Sequence, residues 1–599
     1  MTHYITALKV ENFRSCKQLR LSLAPFVPLV GYNNAGKSNI LSALEWLFKE
    51  RLLPSGDYND VDSPIVVEGE ITGISEDVLA RLNDEHRDPI REYLDGDSIW
   101  IRRELPPAAK KKSDVTLRIY HPAHAEYRAN PRGIWNAIKA LFPEPIRVGA
   151  MENAAEDAAK AKSSSTIGKL LAELSSAVRK THATQVDRYL RAISRLMEAD
   201  GSRRLSELDR IDESINEKID DLFPGMSLKL HFDVPSFEDI FKAGTVKVIE
   251  RDEEARDFTA YGHGAQRSIQ MALIRHLADI KQDSDCSTTT LLLIDEPELY
   301  LHPFAIEQVR ESLHALSLHG YQIVFSTHSA QMITVHRAQD AALIRKSGRR
   351  GTFARKRLRD ALLTVLPEVQ AQAEHLFALS QSTSVLFANH VIVTEGKTEL
   401  RLIPPVYRSV HGKTLGQEQT ALIEVGSVDS ITKTLEILRE MDLPARAVAD
   451  LDYAFRGAVR TGMLRENDED LIALKSILQK MANEGRCRLN GDNGLPTSKN
   501  SPLTAAEAFQ RLAQEPKAGD HIDSLHLKLL SHDIWLWKLG AIEAHLGLTA
   551  KSESEWARFA AELEASGLDA CCPEAESLRS LVEWLRFSER GSDGCLIEG

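Results

Sequence analysis

The stretch Gly31-Tyr32-Asn33-Asn34-Ala35-Gly36-Lys37-Ser38 decides how this chain is read. It matches G-x-x-x-x-G-K-[ST], a loop whose glycines let backbone N–H groups close around phosphates. Lys37 is placed to reach the β- and γ-phosphates, and the Ser38 hydroxyl to take a Mg²⁺ position. Gly31, Asn34, Gly36 and Asn39 complete the expected cradle. The flanks agree. Phe26-Val27-Pro28-Leu29-Val30 reads as a strand, and Ile40, Leu41, Ala43, Leu44, Leu47 and Phe48 follow at helical spacing. Pro28 is a departure, because it removes a ladder donor from what should be a central strand. The expected ligand is ATP.

Working outward, residues 5–23 read as strand, turn, strand. Ile65-Val66-Val67-Glu68-Gly69-Glu70-Ile71 alternates like a strand, and Ile99-Trp100-Ile101 and Val115-Thr116-Leu117-Arg118-Ile119 read as further strands, with Lys110-Lys111-Lys112 in the turn between them. From 154 to 222 strand character vanishes. Ile167, Leu170, Leu171, Leu174 and then Leu190, Ile193, Leu196 recur at three-to-four spacing, which predicts an inserted helical pair serving as a dimer contact or a lever arm. Strand character returns at residues 226–232 and 245–248. Leu291-Leu292-Leu293-Ile294-Asp295-Glu296 is a buried strand ending in two carboxylates, Asp295 to hold Mg²⁺ and Glu296 to polarise the attacking water. Val324-Phe325-Ser326-Thr327-His328 is the next strand and ends in a His placed to meet the γ-phosphate. Tyr261-Gly262-His263-Gly264-Ala265-Gln266-Arg267-Ser268 is a Gly-rich turn opening a helix, and Gly264 there would help offer N–H groups to a second subunit's γ-phosphate.

At 599 residues the chain exceeds one core and should divide into about three or four domains. The predicted domains are an ATPase N-terminal lobe (1–153), the helical insertion (154–222), an ATPase C-terminal lobe (223–350), a helical connector (351–388) and a second α/β domain (389–599). The basic stretch 346–359 is the expected boundary. No apolar run reaches the length of a membrane span, and the start lacks a signal-peptide pattern. Six cysteines, Cys16, Cys286, Cys487, Cys571, Cys572 and Cys595, show no C-x-x-C spacing and read as reduced thiols in a cytoplasm. The net charge of −13 argues only weakly against DNA, since acidic metal sites inflate it while a local basic groove can still hold a phosphate backbone.

The second domain opens with His390-Val391-Ile392-Val393-Thr394-Glu395-Gly396-Lys397-Thr398-Glu399: strand, Glu, Gly turn, and a second Glu entering a helix. Ile423-Glu424-Val425-Gly426-Ser427 reads as strand to turn. Ala447-Val448-Ala449-Asp450-Leu451-Asp452 is another strand, ending in D-x-D. Carboxylates at strand ends of a parallel sheet converge at its C-terminal edge. Such clusters repel themselves unless divalent cations neutralise them, and oxygen donors suit Mg²⁺ or Mn²⁺. Two such ions about 4 Å apart can activate a water and stabilise the leaving oxygen of a phosphodiester.

The first half resembles the ABC-type ATPases of the structural-maintenance and recombination-repair class, in Val10-Glu11-Asn12-Phe13-Arg14-Ser15, the turn at Gly264, Asp295-Glu296-Pro297 and His328. Glu296-Pro297-Glu298-Leu299-Tyr300-Leu301-His302-Pro303 is similar to that class's E-P-E-x-x-L-H-P. Ala265 departs from the usual second glycine, no Gln stands out for the Q-loop, and there is no coiled-coil arm. Two heads sandwich ATP in that class, which implies a homodimer. The second half resembles a TOPRIM domain, the fold shared by topoisomerases, primases and some nucleases. ATPase followed by TOPRIM is the arrangement of the OLD (overcoming lysogenization defect) family, and this resemblance covers essentially the whole chain. Size and insertion look most like the Gabija-type class encoded beside a UvrD-like helicase. The resemblance implies metal binding by Glu395, Glu399, Asp450 and Asp452, a further acid at Glu543 within Trp537-Lys538-Leu539-Gly540-Ala541-Ile542-Glu543, and a late catalytic lysine, Lys551 or alternatively Lys538. The expected fold class is α/β, an ABC-type ATPase head with an inserted helical domain followed by a parallel-sheet TOPRIM domain. The function implied is a metal-dependent DNA endonuclease coupled to an ATPase dimer, in antiphage defence. Alternatives are a topoisomerase, for which Tyr453 is present but no strand-passage domain remains, an ATP-gated DNA clamp, and an RNA-cleaving enzyme.

Overall fold

A computed structural model describes residues 3–587, except 81, 83, 130–133, 143, 150–175, 223–224, 237–238, 240–245, 250–253, 258–259, 282–288 and 367–383. The chain forms two compact units, Met1–Val27 with Ser38–Met332, and Pro28–Lys37 with Ile333–Gly599.

The first unit opens with the antiparallel pair β1 (Tyr4–Phe13) and β2 (Cys16–Ser22). After β3 (Phe26–Val30) and α1 (Lys37–Phe48), β4 (Ile65–Thr72) returns beside β1, and β5 (Ile99–Leu105), β6 (Thr116–His121) and β7 (Glu126–Ala129) add antiparallel strands in turn. β5 buries Ile99, Ile101, Arg103 and Leu105 and turns the residues between them partly outward, the period-two pattern of a sheet with one covered face. β8 (Ile146–Val148) precedes the insertion, of which α2 (Ser176–Met197) and α3 (Ser206–Leu222) are described. Ile167, Leu170, Leu171 and Leu174 lie outside the described residues; Leu190, Ile193 and Leu196 fall on α2.

Residues 226–232 are not a strand. Asn216 and Asp212 side chains accept from the Leu228 and Leu230 N–H groups at 2.7 and 3.0 Å, so α3 satisfies donors that a ladder would otherwise take. Residues 247–248 do pair, as β9 (Lys247–Val248) with β10 (Arg256–Asp257). Then come α4 (His263–Lys281), β11 (Thr290–Asp295), α5 (Pro303–Leu318) and β12 (Tyr321–Thr327). β8, β11 and β12 run parallel, and β11 and β12 are buried at every residue, as strands covered on both faces must be. Phe26, Ile146, Leu292, Ile294, Leu313 and Phe325 share their core.

In the second unit, Leu29 and Val30 pair in parallel with β13 (Ala342–Ser347), so Pro28 sits just before this pairing. The stretch 346–359 forms the turn from β13 into β14 (Gly351–Ala354) and leads to α6 (Leu358–Val365). A four-stranded parallel sheet follows in the order β16 (Thr420–Glu424), β15 (His390–Thr394), β17 (Ala445–Ala449), β18 (Ile534–Leu536), with α7 (Lys397–His411) and α8 (Val428–Glu440) as crossovers. One hydrophobic core takes in Val30, Leu343, Leu358 and Leu362 together with Ile431, Leu435, Ala447 and Ile534. Among the described residues no helix is long and apolar enough to cross a membrane.

Candidate active sites

The phosphate loop leaves β3 tightly. A Cβ at Gly31 would lie 2.3 Å from the Ile344 carbonyl oxygen, and Asn34 (φ 66°) and Gly36 (φ 101°) take the left-handed conformation. β13 and β14 pin the loop: the Tyr32 hydroxyl donates to the Lys346 carbonyl at 2.7 Å, and Thr352 Oγ1 donates to the Ala35 carbonyl at 2.9 Å. Lys37 Nζ folds back onto the Gly31 and Tyr32 carbonyls at 2.8 and 3.1 Å, which concentrates positive charge inside the loop. Asn39 donates to Ser15 Oγ at 2.6 Å, linking α1 to the start of the chain.

At the end of β11, Asp295 Oδ1 accepts from Ser38 Oγ at 3.0 Å and from Ser326 Oγ at 2.9 Å, while Oδ2 is ion-paired with Arg147 of β8. Glu296 takes a left-handed φ of 45°; its N–H donates to the Ser326 carbonyl, and His328 Nε2 stands 3.3 Å from its Oε1. Glu298 accepts from Thr327 Oγ1 (2.7 Å) and the His328 N–H (2.9 Å), which orients that His. Gly264 lies in the first turn of α4. Three residues on, Arg267 donates to the carbonyls of Asp295 and Glu296 and, at 3.0 Å, of Gly149. Burial pulls the Arg267 guanidinium down to about 10, against the pull of Glu298, Asp295 and Glu296. Arg147 and Arg267 are functional candidates that motif reading missed. Arg267 lies inside the Gly264 turn motif, whereas Arg147 stands in a three-residue strand that carries no signature.

The second site gathers the acids at one sheet edge. Glu395 follows β15, Asp450 and Asp452 follow β17, and Glu399 stands in the first turn of α7. Glu543 follows β18 on the short helix α9 (Ile542–Leu546), whose approach is fixed by the Leu451 N–H donating to the Gly540 carbonyl at 2.8 Å. Glu399 and Glu543 are each only 4% exposed. Burial, then Asp452, pushes the Glu395 carboxyl up to about 7; burial, with Glu543 and Glu395 adding repulsion, pushes Glu399 up to about 8. Asp450 is raised well above the carboxylate range by burial, then by Glu399 and Glu395, and Asp452 is raised by burial against the opposing Arg456 and Lys551. Lys551 Nζ lies 3.1 Å from Glu543 Oε1, and Thr398 Oγ1 donates to that oxygen at 2.7 Å. Lys538 instead pairs with Asp523 at 2.7 Å.

The chain is 36% identical over 594 residues to the Old nuclease of Escherichia phage P2, covering 97% of this chain and 98% of that protein. It belongs to the OLD nuclease family. Residues 386–452 match the family "Overcoming lysogenization defect protein-like, TOPRIM domain", and residues 26–333 match "AAA domain, putative AbiEii toxin, Type IV TA system". Among solved structures, the Smc head with an extended coiled coil from Pyrococcus furiosus aligns at 17% identity and a TM-score of 0.37, over 61% of this chain and all of that one. The SMC head of Thermotoga maritima aligns at 16% and 0.27, over 58% and 97%. This OLD family member therefore carries an ATPase domain and a TOPRIM domain in one α/β chain. Glu543, Lys551 and Lys538 lie beyond the matched TOPRIM span.

The donor set at the OLD-type sheet edge fits divalent cations. Glu395 Oε2, Asp450 Oδ1 and Glu543 Oε2 are buried with no hydrogen-bond partner, and the four acids before Glu543 share a raised affinity for positive charge, here protons. Among the described residues no three His, Cys, Asp or Glu side chains close into a chelate.

Proposed function

We propose that this protein is an ATP-binding and ATP-hydrolysing, divalent-metal-dependent DNA endonuclease. The observation that carries the reading is the set of buried, partnerless carboxylate oxygens on Glu395, Asp450 and Glu543 beside Lys551. Bound divalent ions would supply an activated water and charge neutralisation at the phosphodiester. Glu395, Glu399, Asp450, Asp452 and Glu543 would hold those ions, and Thr398 would orient Glu543. Attack of such a water on phosphorus would break the P–O3′ bond and leave a 5′-phosphate and a 3′-hydroxyl. Burial works against the charge of Lys551, yet Glu543, Asp450 and Glu399 hold it above the ordinary lysine value, so it stays cationic toward the developing phosphate charge. At the nucleotide end, Lys37 would neutralise charge on the β/γ-phosphates, Ser38 and Asp295 would hold a divalent ion, Glu296 would polarise the water, and His328 would meet the γ-phosphate.

The finer reading is a homodimer that sandwiches ATP, with Gly264 presented to the partner's nucleotide and the insertion as a dimer contact. Tyr189, Ile193 and Ile211 are exposed there. Antiphage defence, with a UvrD-like helicase encoded alongside, is the biological setting suggested by family resemblance. The test is plasmid cleavage with Mn²⁺ or Mg²⁺, with and without ATP. Wild type should leave 5′-phosphate ends, and chelator should abolish cleavage. Asp450→Ala should abolish cleavage while ATP hydrolysis stays within about twofold. Cleavage surviving in an Asp450→Ala, Asp452→Ala double variant would overturn the reading. A covalent protein–DNA adduct would point to a topoisomerase, and cleavage of RNA alone to an RNase.

A further inference from the structure

Both oxygens of Asp295 have partners within the protein. Ser38 and Ser326 hydroxyls occupy Oδ1, and the Arg147 guanidinium occupies Oδ2. The placement of Arg147 follows from the strand register. β8 runs parallel to β11 with Ile146 beside Leu292 and Val148 beside Ile294, and these four share one apolar cluster. The residue between them is thereby turned to the opposite face, toward the carboxylate at the end of β11. The Arg147 side chain is 18% exposed and that of Asp295 9%, so the pair is largely out of water. Glu45 of α1 also attracts Arg147, while Arg14 repels it.

Burying a guanidinium and a carboxylate costs several kcal/mol per ion before pairing offsets it. Aliphatic packing would hold a three-residue edge strand at lower cost, so the Arg needs a reason beyond the fold. Its partner supplies one, because Asp295 is also the carboxylate that a nucleotide-bound divalent ion requires. A divalent ion bound at Asp295 would sit within a few ångströms of the guanidinium on Oδ2, and the two positive charges would repel each other in a site largely out of water.

We propose that Arg147 is a positioning residue for ATP hydrolysis. It holds Asp295 in place in the nucleotide-free protein, yields Asp295 to the ion that enters with ATP, and then turns its planar fork to an anionic oxygen of the triphosphate. The inference rests on ATP binding by the loop from Gly31 to Ser38. Lys37→Ala checks that separately, since it should abolish nucleotide binding whatever Arg147 does.

The experiment uses the full chain carrying Asp450→Ala and Asp452→Ala, so that the nuclease centre contributes little to the metal signal. Mn²⁺ binding to the nucleotide-free protein is read by electron paramagnetic resonance. Arg147→Gln should tighten Mn²⁺ binding by at least about tenfold, because a close competing cation is removed. Adding Asp295→Asn should cancel that gain. Arg147→Lys should leave Mn²⁺ affinity within about twofold while lowering kcat at least about tenfold with little change in KM, because a point charge keeps the pairing but not the bidentate contact. Unchanged Mn²⁺ affinity in Arg147→Gln, or a gain that survives Asp295→Asn, would overturn the place-holding role. Wild-type kcat in Arg147→Lys would overturn the phosphate contact, and this variant decides the matter if Arg147→Gln does not fold.

Discussion

Glu296 holds a backbone conformation that costs a non-glycine residue about 1–3 kcal/mol, and its neighbours hold it there. Ser326 accepts its N–H, Arg267 grips its carbonyl, and His328 faces its carboxylate. Glu296→Gln keeps this shape and removes the charge that polarises water. ATP turnover should fall at least about 100-fold while ATP stays bound, measured as nucleotide retained through gel filtration. Turnover at the wild-type rate would reassign the base. Acidity at the other centre makes a prediction of opposite character. Glu395 and Glu399 rise from an ordinary 4.5 to about 7 and about 8, so the folded chain keeps protons that the unfolded chain releases. Their stabilisation is complete below about pH 4.5 and is lost as pH rises through 7 and then 8. In chelator, the protein should melt at a lower temperature at about pH 8.5 than at about pH 6, and Mg²⁺ or Mn²⁺ should reverse the loss. A melting curve indifferent to metal at the higher pH would count against ions at this edge. Glu395, Asp450 and Asp452 could be named as candidates because each follows a buried strand, whereas Glu543 was named only through family resemblance. Arg147 and Arg267 could not, because what matters is the carboxylate or carbonyl each one reaches across the fold, and no local pattern encodes that.

Elements with strong periodicity, or with a special loop, matched their reading: β3 and α1 around the phosphate loop, β11 and β12 as fully buried strands, β15 and β17 each followed directly by an acid. Residues 226–232 show where that reading stops. Their apolar alternation is real, yet Asp212 and Asn216 on the preceding helix claim the Leu230 and Leu228 N–H donors, and side-chain competition of this kind is invisible to an apolar pattern. The basic and glycine residues of the stretch 346–359, read as a domain boundary, supply the β13–β14 turn and the approach to α6. Contact between this hairpin and the phosphate loop gives an element-scale test. Gly31→Ala places a methyl group 2.3 Å from the Ile344 carbonyl, so β13 or the loop must shift. Overpacking of this kind costs about 1–3 kcal/mol. Equilibrium unfolding should register it, and nucleotide affinity should fall with it. Wild-type affinity would show that the loop does not depend on β13.

At the scale of the molecule, the order ATPase then TOPRIM was readable from the order of motifs. Motifs mark chemistry, whereas units are decided by which apolar faces meet. α6 packs on α8, the Lys356 ammonium pairs with Glu440, and Arg345 donates to the carbonyls of Leu386 and Ala388 at 3.1 and 2.7 Å. Through Val30 and Leu343, the strand that launches the phosphate loop joins the same core as the acid-bearing sheet. This has a consequence for heredity. A recombination event that joined codons 389 onward to a foreign gene would strip Leu358, Ala361 and Leu362 from the flank holding Ile431, Leu435 and Leu438, leaving an oily face open to aggregation and proteolysis. Exchange upstream of β13 is no safer, because the strand carrying Leu29 and Val30 would then have to match a stranger's Ala342 and Leu343. The two halves of this gene should therefore travel together, and lineages should diverge by changing loops and the helical insertion rather than by trading one half for another.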